Sequence, residues 1–114
     1  MATARDLTAR ALRLSGYLPG GATASAEDAQ AALAALTREM AHDFGPLGVR
    51  VNAIAPGEVE TAILSPGTDK IVEKLPMQRL GQPKEVADVI WFLCSDQSSY
   101  ISGAEIEVNG AQHV

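Results

Sequence analysis

The chain has little of what marks several specialised classes of protein. Of its 114 residues one is cysteine and 4% are aromatic, so an internal disulfide is excluded and the core must be aliphatic. Its 9 basic residues are outnumbered by 14 acidic ones, and a net charge of -5 disfavours nucleic acid and anionic lipid as partners. No apolar run approaches the roughly 20 residues that span a bilayer, and no basic region precedes an apolar leader. We therefore expect a cytoplasmic protein that contacts neither nucleic acid nor membrane.

The remaining composition is that of an ordinary globular protein. Hydrophobic residues make up 46% of the chain and charged residues 20%. This length predicts a single domain, 1–114, which is large enough for a modest core but small for a doubly wound nucleotide-binding fold. The composition changes near residue 31, and this change divides an N-terminal helical segment, 1–30, from the remainder, 31–114.

Two capping patterns predict two helices in the first 45 residues. Thr3 followed by Asp6 predicts a short amphipathic helix that ends at Gly16. Ser25 followed by Asp28 predicts a long helix that ends before Gly45-Pro46. Apolar residues repeat every three or four positions along the long helix, and they predict its buried face: Ala29, Leu33, Leu36, Met40 and Phe44.

Two segments later in the chain have the pattern of strands. Residues 49–55 are apolar and β-branched enough for a buried strand, and residues 104–108 alternate Ile106 and Val108 with two glutamates. Between them we expect a short helix over 68–75 and a longer one starting at Pro83, with Trp91, Phe92 and Cys94 packed inside. Strand, crossover helices and strand predict an α/β fold built on a right-handed parallel βαβ unit, with an N-terminal helical hairpin.

A set of motifs between residues 31 and 110 carries a family resemblance. In order, with the expected spacing, they are Leu36-Thr37-Arg38, the run Val51-Asn52-Ala53-Ile54-Ala55-Pro56-Gly57-Glu58-Val59-Glu60-Thr61, the run Arg79-Leu80-Gly81-Gln82-Pro83-Lys84-Glu85-Val86-Ala87, Ser102-Gly103-Ala104 and Asn109-Gly110. In these motifs the chain resembles the C-terminal part of a short-chain dehydrogenase/reductase. The resemblance implies a fragment of a Rossmann-like fold and an NAD(P)-dependent oxidoreductase family.

The same resemblance indicates that the catalytic residues are missing. Counting back from Leu36-Thr37-Arg38, the family's Tyr-x-x-x-Lys pair falls on Ala26 and Gln30. A methyl group has no proton to donate, and a neutral amide cannot lower the pKa of a tyrosine. Ser15 is only near the position of the family's serine. No glycine-rich turn follows a strand, so we assign no catalytic residue and no pyrophosphate site.

Part of a cofactor site is nevertheless implied by the resemblance. In the family the loop after Pro-Gly lies beside the nicotinamide, and this loop corresponds here to Pro56, Gly57, Val59 and Thr61. Glycine permits close backbone approach, and a hydroxyl with peptide groups can bind an amide. We interpret these residues as an inherited, empty half-site and expect no bound cofactor, with NAD(P) implied by resemblance alone. His42 has no second ligand at helical spacing, so we expect no metal.

Residues 1–30 resemble the start of phage head-to-tail adaptor proteins. If this similarity is real, two unrelated segments meet inside one helix, and a natural truncation and an artificial chimera both remain open as origins. The sequence therefore predicts a chain without its own catalytic activity that is structural or self-associating. The alternatives are an NAD(P)-dependent oxidoreductase that needs a partner chain, and an adaptor-like interaction module. Because two strands rarely form a stable sheet alone, we expect a homo-oligomer, with a dimer favoured.

Overall fold

The computed structural model describes residues 25–62 and 67–112. The described part contains three α-helices, which we label α1 (Ala26–Phe44), α2 (Thr68–Val72) and α3 (Pro83–Cys94). It also contains two strands, β1 (Ala53–Pro56) and β2 (Glu105–Val108), and two single 3-10 turns, Gly45–Leu47 and Asp96–Ser98. The short helix predicted over residues 3–16 lies outside the described residues, and so does Ser15.

The two strands form a parallel two-stranded sheet. Ala53 is paired with Glu105 and Pro56 with Val108, and the connection between the strands runs through α2 and α3. The prediction of a small α/β fragment with a parallel βαβ unit is confirmed. β1 begins later than the predicted strand over residues 49–55, because the Val49 amide bonds to the Phe44 carbonyl and Val51 bonds to the loop 101–104 and not to β2.

α1 begins and ends where local sequence predicts. The Ser25 hydroxyl accepts a hydrogen bond from the Asp28 amide at 3.0 Å, and the Asp28 carboxylate accepts one from the Ser25 amide at 2.9 Å. These bonds hold the pKa of the Asp28 carboxyl below its usual value, the backbone bond of Ser25 being the larger cause. At the other end Gly48 adopts a positive φ of 75°, which turns the chain toward β1.

The predicted buried face of α1 is wrong within the described chain. Thr37 is 4% exposed, and a Cβ added to Gly103 would lie 3.4 Å from the Ala41 Cβ, so small residues face the sheet. Small side chains on this face of α1 permit the close approach, and the larger apolar side chains of α1 lie on the neighbouring face. Leu36 is 55% exposed, and the other large members of the predicted stripe are also exposed: Leu33, Met40 and Phe44.

α3 also leaves apolar surface uncovered. Pro83 occupies its first turn as predicted, and Val86, Val89 and Leu93 are half-buried. Trp91, however, is 78% exposed, and Phe92, Ile90 and the Cys94 thiol are exposed as well. The expectation that Trp91, Phe92 and Cys94 pack inside is wrong for the described chain, because no described element covers this side of α3. None of the described helices combines the length and apolar character needed to cross a membrane.

Candidate functional site

The loop that starts at the last residue of β1, residues 56–61, is held against the end of β2. The Gly57 amide donates to the Val108 carbonyl at 3.1 Å, and the Glu58 amide donates to the Gln112 side chain at 3.1 Å. A Cβ on Gly57 would lie 2.7 Å from both the Cα of Asn109 and the side-chain oxygen of Gln112. Glycine is therefore required at position 57 by the chain itself, whatever ligand approaches the loop.

An isolated bridge fixes the middle of this loop. Val59 pairs in parallel with Gly81, and the bridge consists of two hydrogen bonds. The Gly81 amide donates to the Glu58 carbonyl at 2.9 Å, and the Glu60 amide donates to the Gly81 carbonyl at 2.8 Å. Because these bonds use the peptide groups on either side of Val59, the amide and carbonyl of Val59 itself point away from Gly81. They have no hydrogen-bond partner in residues 25–62 and 67–112.

The start of α3 anchors the loop from the other side. The Gln82 side chain donates to the Glu60 carboxylate at 2.6 Å, and the Gln82 amide donates to Glu85 at 2.7 Å. Arg79 makes a two-pronged ion pair with Glu85, with N–O distances of 2.7 and 2.8 Å. The Arg79 hydrogen bonds, with the Gln82 amide, lower the pKa of Glu85 to about 2, and the same pairing raises the pKa of Arg79.

The two positions aligned with the family's acid/base pair lie at the start of α1. Ala26 is the first helical residue and is exposed. The Gln30 amide donates to Glu105 at 3.0 Å and to Glu107 at 3.2 Å, so it bridges two carboxylates on β2. A neutral amide can make these bonds but cannot act as a cation or a proton donor for an alcohol.

A series of contacts joins Gln30 to the loop. Glu107, which accepts from Gln30, also accepts a hydrogen bond from the Asn109 side chain at 2.8 Å. Asn109 in turn packs against Gly57. These contacts link Gln30, which lies alongside β2, to the loop residues Pro56, Gly57 and Val59 at the end of the sheet where both strands finish. Thr61 follows them, exposed, at the edge of the described segment.

Three polar residues to which the sequence analysis gave no individual role organise the opposite end of the sheet, where both strands begin. The Arg50 guanidinium donates to the carbonyls of Ile101, Leu93 and Ser95, at 3.1, 2.7 and 3.3 Å. The Asn52 side chain donates to the Ile101 carbonyl at 2.9 Å and accepts from the Ala104 amide at 3.1 Å. The buried Ser98 hydroxyl lies within 3.1 Å of three carbonyls at the end of α3. The sequence did contain a signal for Asn52, because it is a polar residue within the apolar run 49–55 and such a residue needs hydrogen-bond partners.

In the part of the chain that the structure describes, open cavities lie on either side of the sheet, and two of them are notable. One, of about 260 Å³, lies between the loop and α3 and includes the Arg79–Glu85 ion pair. The other, of about 270 Å³, lies beside β1 and is lined by Asn52, Ile54, Ile90, Leu93 and Cys94 with the Arg50 stem. Within residues 25–62 and 67–112, no cluster of three or more His, Cys, Asp or Glu side chains could hold a metal ion.

A family model described as enoyl-(acyl carrier protein) reductase matches residues 14–113. The crystal structure of a short chain dehydrogenase from Bacillus anthracis aligns with a TM-score of 0.69 and 38% identity, over 75% of this chain. The chain belongs to the short-chain dehydrogenase/reductase family. The match begins before residue 31, the boundary that the motifs indicated, so the family pattern reaches further toward the N-terminus.

Relatives of this short-chain dehydrogenase/reductase chain include several enzymes. Protein FixR of Bradyrhizobium diazoefficiens is 58% identical over 86 residues, which are 75% of this chain and 31% of FixR. The 3-oxoacyl-[acyl-carrier-protein] reductase FabG of Aquifex aeolicus is 46% identical, over 71% of this chain and 34% of the enzyme. A 4-hydroxyisoleucine dehydrogenase complexed with NADH and succinate is 29% identical, with a TM-score of 0.67, over 75% of this chain and 36% of that one. The chain thus spans about a third of the length of these relatives.

Proposed function

We propose that this chain is a self-associating short-chain dehydrogenase/reductase segment with no oxidoreductase turnover of its own. The observation that carries the proposal is the state of Gln30. Its amide stands at the position of the family's lysine and is already bonded to Glu105 and Glu107, while Ala26 stands at the position of the tyrosine. Neither residue can donate a proton to, or accept one from, a carbonyl or alcohol substrate near neutral pH.

The exposed apolar faces of α1 and α3 support the self-association. Leu33, Leu36, Met40 and Phe44 on α1, and Ile90 and Trp91 on α3, are large side chains that the described chain leaves open to solvent. Contiguous apolar surface of this kind marks an interaction site in a folded protein. A second copy of the chain would remove both faces from water, and the hydrophobic effect would stabilise such an assembly.

A cofactor-dependent assay tests the absence of turnover. We expect the purified chain to show no hydride transfer with NAD(H) or NADP(H) and a range of ketones and secondary alcohols. We also expect neither cofactor to raise the melting temperature, since a ligand that binds only the folded state must stabilise it. Hydride transfer that is lost in Thr61→Ala would contradict the proposal.

Introducing the family's tyrosine and lysine at positions 26 and 30 tests whether inactivity is due to the missing acid/base pair or to an incomplete cofactor site. We expect the double variant Ala26→Tyr with Gln30→Lys to remain inactive, because the described residues offer no glycine-rich turn at a helix N-terminus to hold a pyrophosphate. Gln30→Lys also places a cation between Glu105 and Glu107, so the lysine should be held by these carboxylates. Turnover by the double variant would mean that the cofactor site is complete and that only the acid/base pair was lacking.

The alternative function is an NAD(P)-dependent oxidoreductase that becomes active when a partner chain supplies the nucleotide-binding half and the Tyr-Lys pair. The Val59 amide and carbonyl, which have no partner among residues 25–62 and 67–112, favour this alternative, because one donor and one acceptor are what a carboxamide requires. Structural relatives bound to NADH and NADPH support the type of cofactor. In this case Thr61→Ala and Val59→Pro should weaken cofactor binding only when the partner chain is present.

The third function, an adaptor-like interaction module, depends on residues 1–30, of which only residues 25–30 are described. Deleting residues 1–24 tests it, because binding of a protein partner should then be lost while the self-association of the remainder persists. A cytoplasmic location also remains a proposal, supported by the presence of a single cysteine.

A further inference from the structure

The turn after β2 contains the single Asn-Gly pair of the chain. This turn runs from Asn109 to Gln112, and the Gln112 amide donates to the Asn109 carbonyl at 3.2 Å. Its two central residues, Gly110 and Ala111, have positive φ values of 61° and 65°, as in a type I′ turn. The chain has one other asparagine, Asn52, which is followed by alanine.

The side chain of Asn109 is folded over the peptide that follows it. Its carbonyl oxygen accepts a hydrogen bond from the Ala111 amide at 3.0 Å, and its nitrogen donates to the Glu107 carboxylate at 2.8 Å. The first bond spans the Asn109–Gly110 peptide, so it holds the side-chain Cγ near the Gly110 nitrogen. Gly110 has no side chain to obstruct this approach, and its amide has no hydrogen-bond partner within residues 25–62 and 67–112.

From this arrangement we propose that Asn109 is a covalent modification site, at which the folded chain converts asparagine to aspartate and isoaspartate. Hydroxide removes the proton of the Gly110 amide, and the nitrogen forms a bond to the Asn109 Cγ. The bond from Cγ to the side-chain nitrogen breaks, and ammonia leaves with a proton taken from water. The product is a five-membered succinimide ring. Water then adds to one of its two carbonyls and opens the ring to either acid.

The hydrogen bond from Ala111 favours the ring-closing step. As the nitrogen attacks, negative charge develops on the side-chain oxygen of Asn109, and the Ala111 amide already donates to that oxygen. Holding the two reacting atoms together also removes part of the entropic cost of closing the ring. The turn therefore aligns the reaction and stabilises its tetrahedral intermediate.

Asn52 provides a contrast within the same chain. Its side chain is bonded to the Ile101 carbonyl and to the Ala104 amide, which lie on another segment. The nitrogen that would attack belongs to Ala53, and its hydrogen is donated to the Ala104 carbonyl at 2.9 Å. Both reacting groups are thus engaged with the segment before β2 and not with each other. We expect Asn52 to be stable under conditions that convert Asn109.

Conversion of Asn109 would change the loop 56–61, because this residue packs against the loop. A Cβ on Gly57 would lie 2.7 Å from both the Cα and the Cβ of Asn109, so the two segments have no spare room. Isoaspartate routes the backbone through the Cβ and must therefore displace Gly57. Both products also replace the amide that donates to Glu107 by a carboxylate, and two carboxylates at this distance repel each other. The modification is therefore expected to loosen the loop that presents Val59.

A time course of the folded chain tests the site. The purified chain is incubated in mildly alkaline buffer and digested, and mass spectrometry compares conversion at Asn52 and Asn109, with a zero-time digest correcting for handling. We expect Asn109 to convert on the order of tenfold faster than Asn52, since only its reacting groups are held together. Asn109→Gln is the matched control, because it keeps an amide but must close a six-membered ring, and it should stay unmodified.

Two results would overturn the site. One is conversion of both asparagines at equal rates, which would mean that the turn gives Asn109 no advantage. The other is conversion of Asn109 only after unfolding in urea, which would mean that the fold protects it. Neither result depends on the oligomeric state or on oxidoreductase turnover, so failure of this proposal is distinguishable from failure of the proposed function.

Hydrogen exchange tests the effect on the loop. The amides of Gly57 and Glu58, which hold the loop to the end of the sheet, should exchange faster in the converted chain and in Asn109→Asp than in the fresh chain. The Ala53 amide, at the start of β1, should exchange at an unchanged rate. Equal protection of Gly57 and Glu58 in fresh and fully converted chains would overturn the predicted loosening.

Discussion

Arg50 joins three separate parts of the chain through one side chain. Its guanidinium bonds to carbonyls of the C-terminal turn of α3, of Ser95 and of Ile101, just before β2. A cation at the end of a helix also interacts favourably with the helix dipole. Arg50 lies in the segment between α1 and β1. Its hydrogen bonds therefore fix the end of α3 and the segment before β2 against this first part of the chain.

Replacing Arg50 by methionine should therefore destabilise the protein more than a typical surface change does. We expect Arg50→Met to lower the free energy of unfolding by about 2–3 kcal/mol, because charge-assisted bonds to half-buried carbonyls are lost while the aliphatic stem is kept. Lys74→Met, at an exposed position, is the control and should change stability by less than about 0.5 kcal/mol. Urea denaturation measures both, and equal midpoints would show that the three carbonyls bind water equally well.

Glu85 gives the protein a pH dependence with a defined sign. Its pKa falls from the usual 4.5 to about 2 because Arg79 and the Gln82 amide stabilise the carboxylate. The folded state then binds fewer protons than the unfolded state between these two values, so stability is complete above about pH 4.5 and decreases as the pH falls toward 2.

We expect Glu85→Gln to flatten the stability profile in this window, while the helix cap at Gln82 persists through the amide oxygen. Arg79→Met should flatten the same window, since the guanidinium is the largest cause of the shift. Thermal melts at low salt between pH 2 and 5 measure the slope, because added salt screens an exposed ion pair. An unchanged slope in both variants would mean that other carboxylates govern the acid response.

α1 presents an apolar stripe that the described chain does not use. Small residues and Thr37 face the sheet, and Leu36 and Met40 lie on the neighbouring, exposed face. One face of the helix therefore packs within the chain, and the neighbouring face is exposed in the described residues. The sequence analysis instead predicted that this apolar stripe of α1 is buried within the same chain.

Because Leu36 is exposed, Leu36→Asp should dissociate the assembly and leave the monomer folded. A charge in an apolar interface must be desolvated, which costs several kcal/mol without a partner. Ala35→Asp, roughly half a helical turn away from the face that packs on the sheet, is the control and should leave the mass unchanged. Sedimentation together with circular dichroism distinguishes the outcomes, and an intact oligomer in Leu36→Asp would remove α1 from the interface.

Much of the fold could be predicted from local sequence signals, whereas contacts between residues far apart in the sequence could not be predicted. The ends of α1 follow from Ser25 and Asp28, three residues apart, and the start of α3 follows from Pro83. The Arg50 contacts join residues 43 to 51 positions apart, and no local spacing reveals them. The phase of α1 was wrong because periodicity identifies an apolar face but not the element that covers it. The expected Tyr and Lys positions, 26 and 30, were identified by family spacing alone.

At the scale of the whole molecule, the described residues bury little of their apolar surface. Within the described residues Leu75 is the one buried hydrophobic residue, whereas twelve large hydrophobic residues are exposed. A folded protein of this size depends on apolar burial to offset the entropy lost on ordering the chain. Under the proposed self-association, a second copy would provide additional burial through a repeated interface.

Sedimentation equilibrium of the purified chain at micromolar concentration measures this most directly. The account predicts a mass of twice the 11.9 kDa chain, independent of added NAD(H) or NADP(H). A single species at the chain mass with a cooperative thermal transition would contradict it, because the exposed apolar faces of α1 and α3 would then be stable in water without a partner.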